Sequence, residues 1–144
     1  MNYTLRPVNE SDRPWLDQLC RQVYRDLFFA TWGRWDDDRH IRHFASCWER
    51  GNIQIIKVDA VSVGMIQVFD LDDQIEIAEI QIAPDFQGQG LATMMINDIL
   101  INAKRKQKKV TLSSGLQNLG ALRLYARLGF TEVKRTELKV YLEQ

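Results

Sequence analysis

The chain has 144 residues, 45% hydrophobic and 26% charged, the balance of a single globular domain with one sizeable core. Nineteen basic and nineteen acidic side chains give a formal net charge of zero, so no overall field draws the chain to nucleic acid or an anionic membrane. No apolar run approaches the ~18 residues of a membrane helix, and Met1-Asn2-Tyr3-Thr4-Leu5 lacks the charged lead and apolar core of a secretory signal, so a cytoplasmic location is expected.

Tyr3, Leu5 and Val8 suggest a short first strand, ended by Pro7. Asn9 to Asp12 offers helix-capping side chains, and Pro14 suits a first helical turn. Trp15, Leu16, Leu19, Cys20, Val23, Tyr24 and Leu27 then recur at helical spacing. Phe28 to Trp35 sets four aromatics around Gly33 with no clean period. That segment reads either as a connection plugging the core or as an acceptor-pocket wall of Phe29, Trp32 and Trp35, whose ring faces attract cations. Asp36, Asp37 and Asp38 read either as favourable charge at a helix N-terminus or as attraction for a cationic amine.

A helix from about Asp37 to Arg50 carries Ile41, Phe44, Ala45 and Trp48 on one face and stops at Gly51. His40 and His43 lie three apart on it with no evident third ligand, so surface or half-buried histidines are expected and no metal. Cys20 and Cys47 fall among apolar residues and read as buried free thiols.

Ile53 to Val58, Val63 to Phe69 and Ile75 to Ile82 are three strands joined by short turns, an antiparallel meander. In the third, Ile75 and Ile77 are apolar at odd positions and Ile80 and Ile82 at even ones. The phase slips near Ala78-Glu79, as a β-bulge there would produce; a strand buried on both faces gives the same pattern without one.

Ala83-Pro84-Asp85-Phe86 breaks that strand, and Gln87-Gly88-Gln89-Gly90-Leu91-Ala92 opens a helix from about Gln89 to Lys106. A glycine turn delivering a chain into a helix N-terminus is an anion site suited to phosphate. A P-loop needs Lys-Ser/Thr where Leu91-Ala92 stands, and a dinucleotide fold needs a third glycine where Thr93 stands. A turn whose glycines serve geometry alone is the plain alternative. Val110 to Ser114 is a strand, and its order after a helical crossover implies parallel pairing with the preceding one. Asn118 to Arg127 is a short helix stopped by Gly129, and Phe130 to Leu142 holds one or two closing strands. The class is α/β, with a mixed sheet that is antiparallel first and parallel around the glycine turn.

Two motifs in order carry a family resemblance. Gln87-x-x-Gly90-x-Ala92, after a strand ending Ile82-Ala83-Pro84, resembles the pyrophosphate loop of the GNAT superfamily of acyl-CoA-dependent N-acyltransferases. Asn118-x-x-Ala121-x-x-x-Tyr125-x-x-x-Gly129-Phe130 is similar to the signature one strand later in that family. The resemblance covers nearly the whole chain and implies one acetyltransferase domain over residues 1–144, with about four helices and a parallel pair splayed around the cofactor. It implies acetyl-CoA as co-substrate. The pantetheine arm would bond to backbone at Ile80, Gln81 and Ile82. The pyrophosphate would lie on Gln87, Gly88, Gln89, Gly90, Leu91 and Ala92, with Thr93 adding a hydroxyl and Asn118 touching the arm. Tyr125 would serve the departing sulfur. Acyl transfer to an amine needs a base, for which Glu79 is the first choice and Glu76 the second. The expected reaction is acetyl transfer to the primary amine of a small, cationic acceptor; a CoA-binding sensor domain that has lost turnover is the alternative. Exposed edge strands in such a sheet often pair across subunits, so a homodimer is a further expectation.

Overall fold

A computed structural model describes residues 2–144. Among the described residues the order is β1 (Thr4–Pro7), α1 (Arg13–Trp32), α2 (Asp37–Arg50), β2 (Ile53–Val58), β3 (Val61–Asp70), β4 (Gln74–Ile82), α3 (Leu91–Arg105), β5 (Lys109–Gly115), α4 (Leu119–Arg127), β6 (Thr131–Arg135) and β7 (Lys139–Glu143). The strands make one mixed sheet in the order β1-β2-β3-β4-β5-β7-β6. Pairing is antiparallel for β1–β2, β2–β3, β5–β7 and β6–β7, and parallel for β4–β5. The expected α/β class, with an N-terminal meander and a parallel pair flanking the glycine turn, is the one observed. No helix of the described residues is long and apolar enough to cross a membrane.

The chain forms two compact units. The first comprises the residues up to Gln67 together with Glu79–Gln89. Its core joins Leu16 and Leu19 of α1 to Ile53 and Ile55 of β2 and Met65 of β3, with Phe44, Cys47 and Trp48 of α2 packed against them. The helical periodicity predicts these faces, and burying them is the main drive to fold. The entry to α1 is fastened by a bidentate ion pair, Arg6 to Asp12 at 2.8 and 2.9 Å, while Asp12 also accepts the Asn9 backbone N–H. Hydrogen bonds from Arg6 hold the Asp12 carboxyl at about 2, below its ordinary 3.8, against the opposing effect of burial. A depressed carboxylate stabilises the fold above its unfolded pKa and ceases to do so as pH falls through its folded one. Asp12→Asn is therefore expected to lower the denaturation midpoint at neutral pH, and the deficit should fade between pH 3.8 and about 2.

α1 runs further than its apolar period suggests. Phe28 to Trp32, read from sequence as a connection, completes the helix, and Gly33 at φ 71° ends it with its N–H on the Phe29 carbonyl. α2 begins with the Asp36 side chain accepting the Arg39 N–H, and Asp37 and Asp38 occupy its first turn. At its other end the last carbonyls of a helix lack intrahelical donors. Gln67, 1% exposed, supplies them by donating to the Cys47 and Gly51 carbonyls at 2.8 and 2.7 Å.

The second unit comprises Val68–Ala78 and Gly90–Gln144. The parallel ladder runs from Gln74↔Lys109 to Ile77↔Leu112 and ends there, while β5 stays paired with β7 through Gly115. Leu91, Met95, Ile96 and Ala103 of α3, Ile75 and Ile77 of β4, Val110 and Leu112 of β5, Tyr125 of α4, and Val140 and Leu142 of β7 are all buried. The basic exit of α3 meets an acidic partner, since Lys106 and Lys108 both bond Asp70.

Candidate active site

The turn after β4 has the geometry its glycines predict. Gly88 and Gly90 have φ of 75° and 83°, a region that L side chains enter only with strain. A Cβ built at either would meet no atom within 4 Å, so the space above both is open. Gln87 to Gly90 is exposed. The Gln87 side chain turns back to donate to the Ile82 carbonyl at 2.8 Å, tying the turn to the end of β4, and Gln89 donates to the Asp85 carbonyl at 3.3 Å. Gly90 is the N-cap of the fifteen-residue helix α3, which has no side-chain cap. The N–H groups of its first turn, from Leu91, Ala92 and Thr93, are the kind that bind an anion. Leu91 is buried and so anchors that turn, whereas Thr93 is half-buried.

Gln81 and Ile82, neighbours and so on opposite faces of β4, are both buried, and Ile80 is half-buried. Gln81 shares its face with Glu79, because its Nε2 donates to Glu79 Oε2 at 3.3 Å. Glu79 is the centre of a cluster. Tyr24 Oη donates to Glu79 Oε2 at 2.7 Å, and His43 Nε2 stands 2.7 Å from Glu79 Oε1. The Tyr24 ring meets the His43 ring edge-on with centroids 5.8 Å apart. Burial pushes the Glu79 pKa up, but the bonds from His43, Tyr24 and Gln81 outweigh it and hold the carboxyl below its ordinary value. Glu79 is thus an anion with a side chain 10% exposed, facing a His43 side chain 41% exposed. Beside it a cavity of about 10 Å³, lined by residues including Cys20, His43, Cys47 and Gln81, has room for about one water molecule. Cys20 and Cys47 are free thiols, and burial pushes both up to about 12.

Tyr24 and His43 were missed as partners of Glu79. Their helix periods do carry a trace of it: Cys20 and Tyr24 lie four apart on α1, as do His43 and Cys47 on α2, so each shares a helix face with a core-side thiol. His40, expected at or near the surface, is 1% exposed and bonded to Asp17 at 2.8 Å. It therefore diverges from His43.

The aromatic segment packs largely on itself. Phe28 stacks on Trp35 at 4.5 Å and meets Trp32 edge-on at 4.9 Å, while Phe29 is 51% exposed. Cations already sit over the indoles, Arg39 at 4.1 Å from Trp32 and Arg21 at 6.0 Å from Trp35. Asp37 binds Arg21, and Asp36 caps α2. In the second unit Asn118 caps α4 by accepting the Ala121 N–H at 3.4 Å, and Tyr125 is 7% exposed with its ring edge-on to Phe130 at 6.0 Å.

Residues 18–130 match the family model described as Acetyltransferase (GNAT) family. The chain is 31% identical to "Uncharacterized N-acetyltransferase MJ1207" of Methanocaldococcus jannaschii, across 90% of its own length and 61% of that protein. It is 27% identical to "Spore coat polysaccharide biosynthesis protein SpsD" of Bacillus subtilis, across 80% of its own length and 43% of that protein. It therefore spans less than two thirds of either relative. Its fold is similar to that of the PaiA N-acetyltransferase of Thermoplasma acidophilum in complex with coenzyme A, with a TM-score of 0.73, 14% identity, and coverage of 100% of this chain and 99% of that one.

Proposed function

The chain belongs to the GNAT acetyltransferase family, and from that premise we propose that it is one acetyltransferase domain that moves an acetyl group from acetyl-CoA to the primary amine of a small acceptor. The observation that carries the reading is the uncapped N-terminus of α3 behind two left-handed glycines. That arrangement fits a pyrophosphate: the N–H groups are of the right kind, and the space above the glycines is open where any side chain would fill it. Bound there, acetyl-CoA would supply an activated acyl group and a thiolate leaving group.

The chain's own residues would do the rest. Backbone at Ile80, Gln81 and Ile82 would align the pantetheine arm, with an N–H near Ile82 donating to the developing oxyanion. The turn from Gln87 to Ala92, with Thr93, would fix the opposite end of the cofactor, and Asn118 would touch the arm. Tyr125 would donate a proton to the departing sulfur. Holding amine and thioester together supplies much of the remaining rate. On the acceptor side, Phe29 is the exposed aromatic of the three expected there. Trp32 and Trp35 would shape the wall behind it, since arginines already occupy their faces. The polysaccharide relative makes an amino sugar a first acceptor to try, beside polyamines, amino acids and peptide amines.

The test is thiol release from acetyl-CoA across that panel, with Gly90→Ala as control. A Cβ at φ 83° is strained by about 1–2 kcal/mol, and it projects into the proposed phosphate space. Losing a hydrogen bond or two to a charged group at roughly 1.5–3 kcal/mol each predicts acetyl-CoA affinity weaker by ten- to a hundredfold or more. Turnover with one amine class, with affinity reduced in the control, supports the reading. Failure of the wild-type chain to bind acetyl-CoA would sink it.

A further inference from the structure

Glu79 is poorly placed to take a proton from a substrate. Both its oxygens are engaged, by His43 on one side and by Tyr24 and Gln81 on the other. Its side chain is 10% exposed, and the adjoining cavity has room for only about one water. A carboxylate with three donors is a weakened base. His43 has the complementary properties. Its side chain is 41% exposed, so a bound amine can reach the ring, and α2 sets it directly against the carboxylate. Imidazole also has an intrinsic pKa of about 6.5, close to the working pH of a general base.

We propose that His43 is the proton acceptor for the amine and that Glu79 is the positioning residue that orients and charges it. This rests on the acetyl-transfer reading above. With Nε2–H directed at Glu79 Oε1, the tautomer is set and the second nitrogen, Nδ1, carries the basic lone pair. The carboxylate then stabilises the imidazolium that forms, as an aspartate does behind a catalytic histidine elsewhere. Tyr24 holds both members, one by its hydroxyl and the other by its ring. In the step itself the lone pair of the neutral amine forms the new C–N bond, and one N–H bond of the nitrogen made cationic by that attack breaks as its proton passes to Nδ1. The thioester C–S bond breaks, and the thiolate leaves with a proton from Tyr125 or water. The imidazolium then returns its proton to solvent. The pairing needs two helices, α1 and α2, to converge on one β4 carboxylate, and the fold supplies that convergence.

The experiment compares wild type, His43→Ala, His43→Asn and Glu79→Gln with acetyl-CoA and the best amine of the panel. His43→Asn keeps a donor near Glu79 but has no basic nitrogen, so it stands in if the alanine variant folds poorly. Both His43 variants should lose about 10²- to 10³-fold in kcat, with the KM for acetyl-CoA unchanged, and added imidazole should restore part of the rate to His43→Ala. Glu79→Gln should lose less, about tenfold, because an amide can still orient the ring but cannot stabilise its charge. Turnover of either folded His43 variant near the wild-type rate would overturn the proposal alone. So would loss of acetyl-CoA binding together with turnover and no response to imidazole, which is the mark of a structural role. A wild-type chain that binds acetyl-CoA but turns over no amine would overturn the acetyl-transfer reading and this inference with it.

Discussion

Gly64→Ala is expected to destabilise the chain by about 3 kcal/mol, a large effect for one methyl group. Gly64 lies inside β3, and a Cβ there would stand 2.2 Å from the Gln81 carbonyl oxygen and 3.2 Å from both the Gln81 carbonyl carbon and the Ile82 Cα. All three are backbone atoms of β4, so no rotamer can relieve the clash. Retreat the other way is blocked too, because Gly64 is paired with Ile56 of β2, which is fully buried. Alanine would gain about 0.4–1 kcal/mol from a stiffer unfolded chain, too little to offset the strain. The displacement falls on Gln81 and Ile82, which adjoin Glu79 and hold Gln87 of the glycine turn. The folded fraction should therefore also bind acetyl-CoA more weakly. Urea denaturation of the variant checks the first effect. A midpoint equal to that of wild type would mean that β3 and β4 can part there without loss.

What the sequence revealed and what it hid divide along one physical line. The glycine turn was legible because its demand is local: φ of 75° and 83° requires glycine whatever the rest of the chain does. The Asp36 cap of α2, the apolar face of α3 and the parallel order around the crossover are local or nearly so; on α2 the expected face holds at Phe44 and Trp48, but Ile41 is 50% exposed. The end of α1 was hidden because its last turn buries Phe28 at 8% exposed and leaves Phe29 out at 51%, so no amphipathic period survives there. The chain instead folds back at Gly33 to stack Trp35 on Phe28. His40 gave no sign of burial because its partner, Asp17, is 23 residues away. The position of β7 between β5 and β6 was equally hidden, since a hairpin can dock by either strand. The Glu79 cluster is the extreme case. Glu79 itself stood out as an acid at a phase slip in an apolar strand, but Tyr24 lies 55 residues before it. Only the tertiary fold turns an expected lone base into an anion behind a histidine.

Glu79→Leu is expected to cost about 3 kcal/mol at neutral pH, because His43 Nε2, Tyr24 Oη and Gln81 Nε2 all lose a charged acceptor, and the half-exposed His43 can rehydrate. The pH dependence gives this prediction its distinct form. Hydrogen bonds in the folded chain outweigh burial and place the Glu79 pKa below its ordinary 4.5. The unfolded chain therefore takes up the proton first as the solution is acidified. The stability Glu79 contributes is fully present above pH 4.5 and is lost as pH falls through the lower folded value. The gap between wild type and Glu79→Leu should accordingly close as pH falls from 4.5 through the lower folded value, a range in which an imidazole is already protonated in both proteins. Asp12, Asp17 and Asp70, which are also depressed by their own partners, act equally in both proteins and drop out of the difference. Equilibrium denaturation of the pair at pH 4.5 and well below it measures the change. A gap that stayed open well below pH 4.5 would show that the carboxyl is protonated in the folded chain. In that state it could neither fix the tautomer of His43 nor stabilise its charge, so the same measurement tests, without any acceptor amine, whether Glu79 is the anion that the cluster requires.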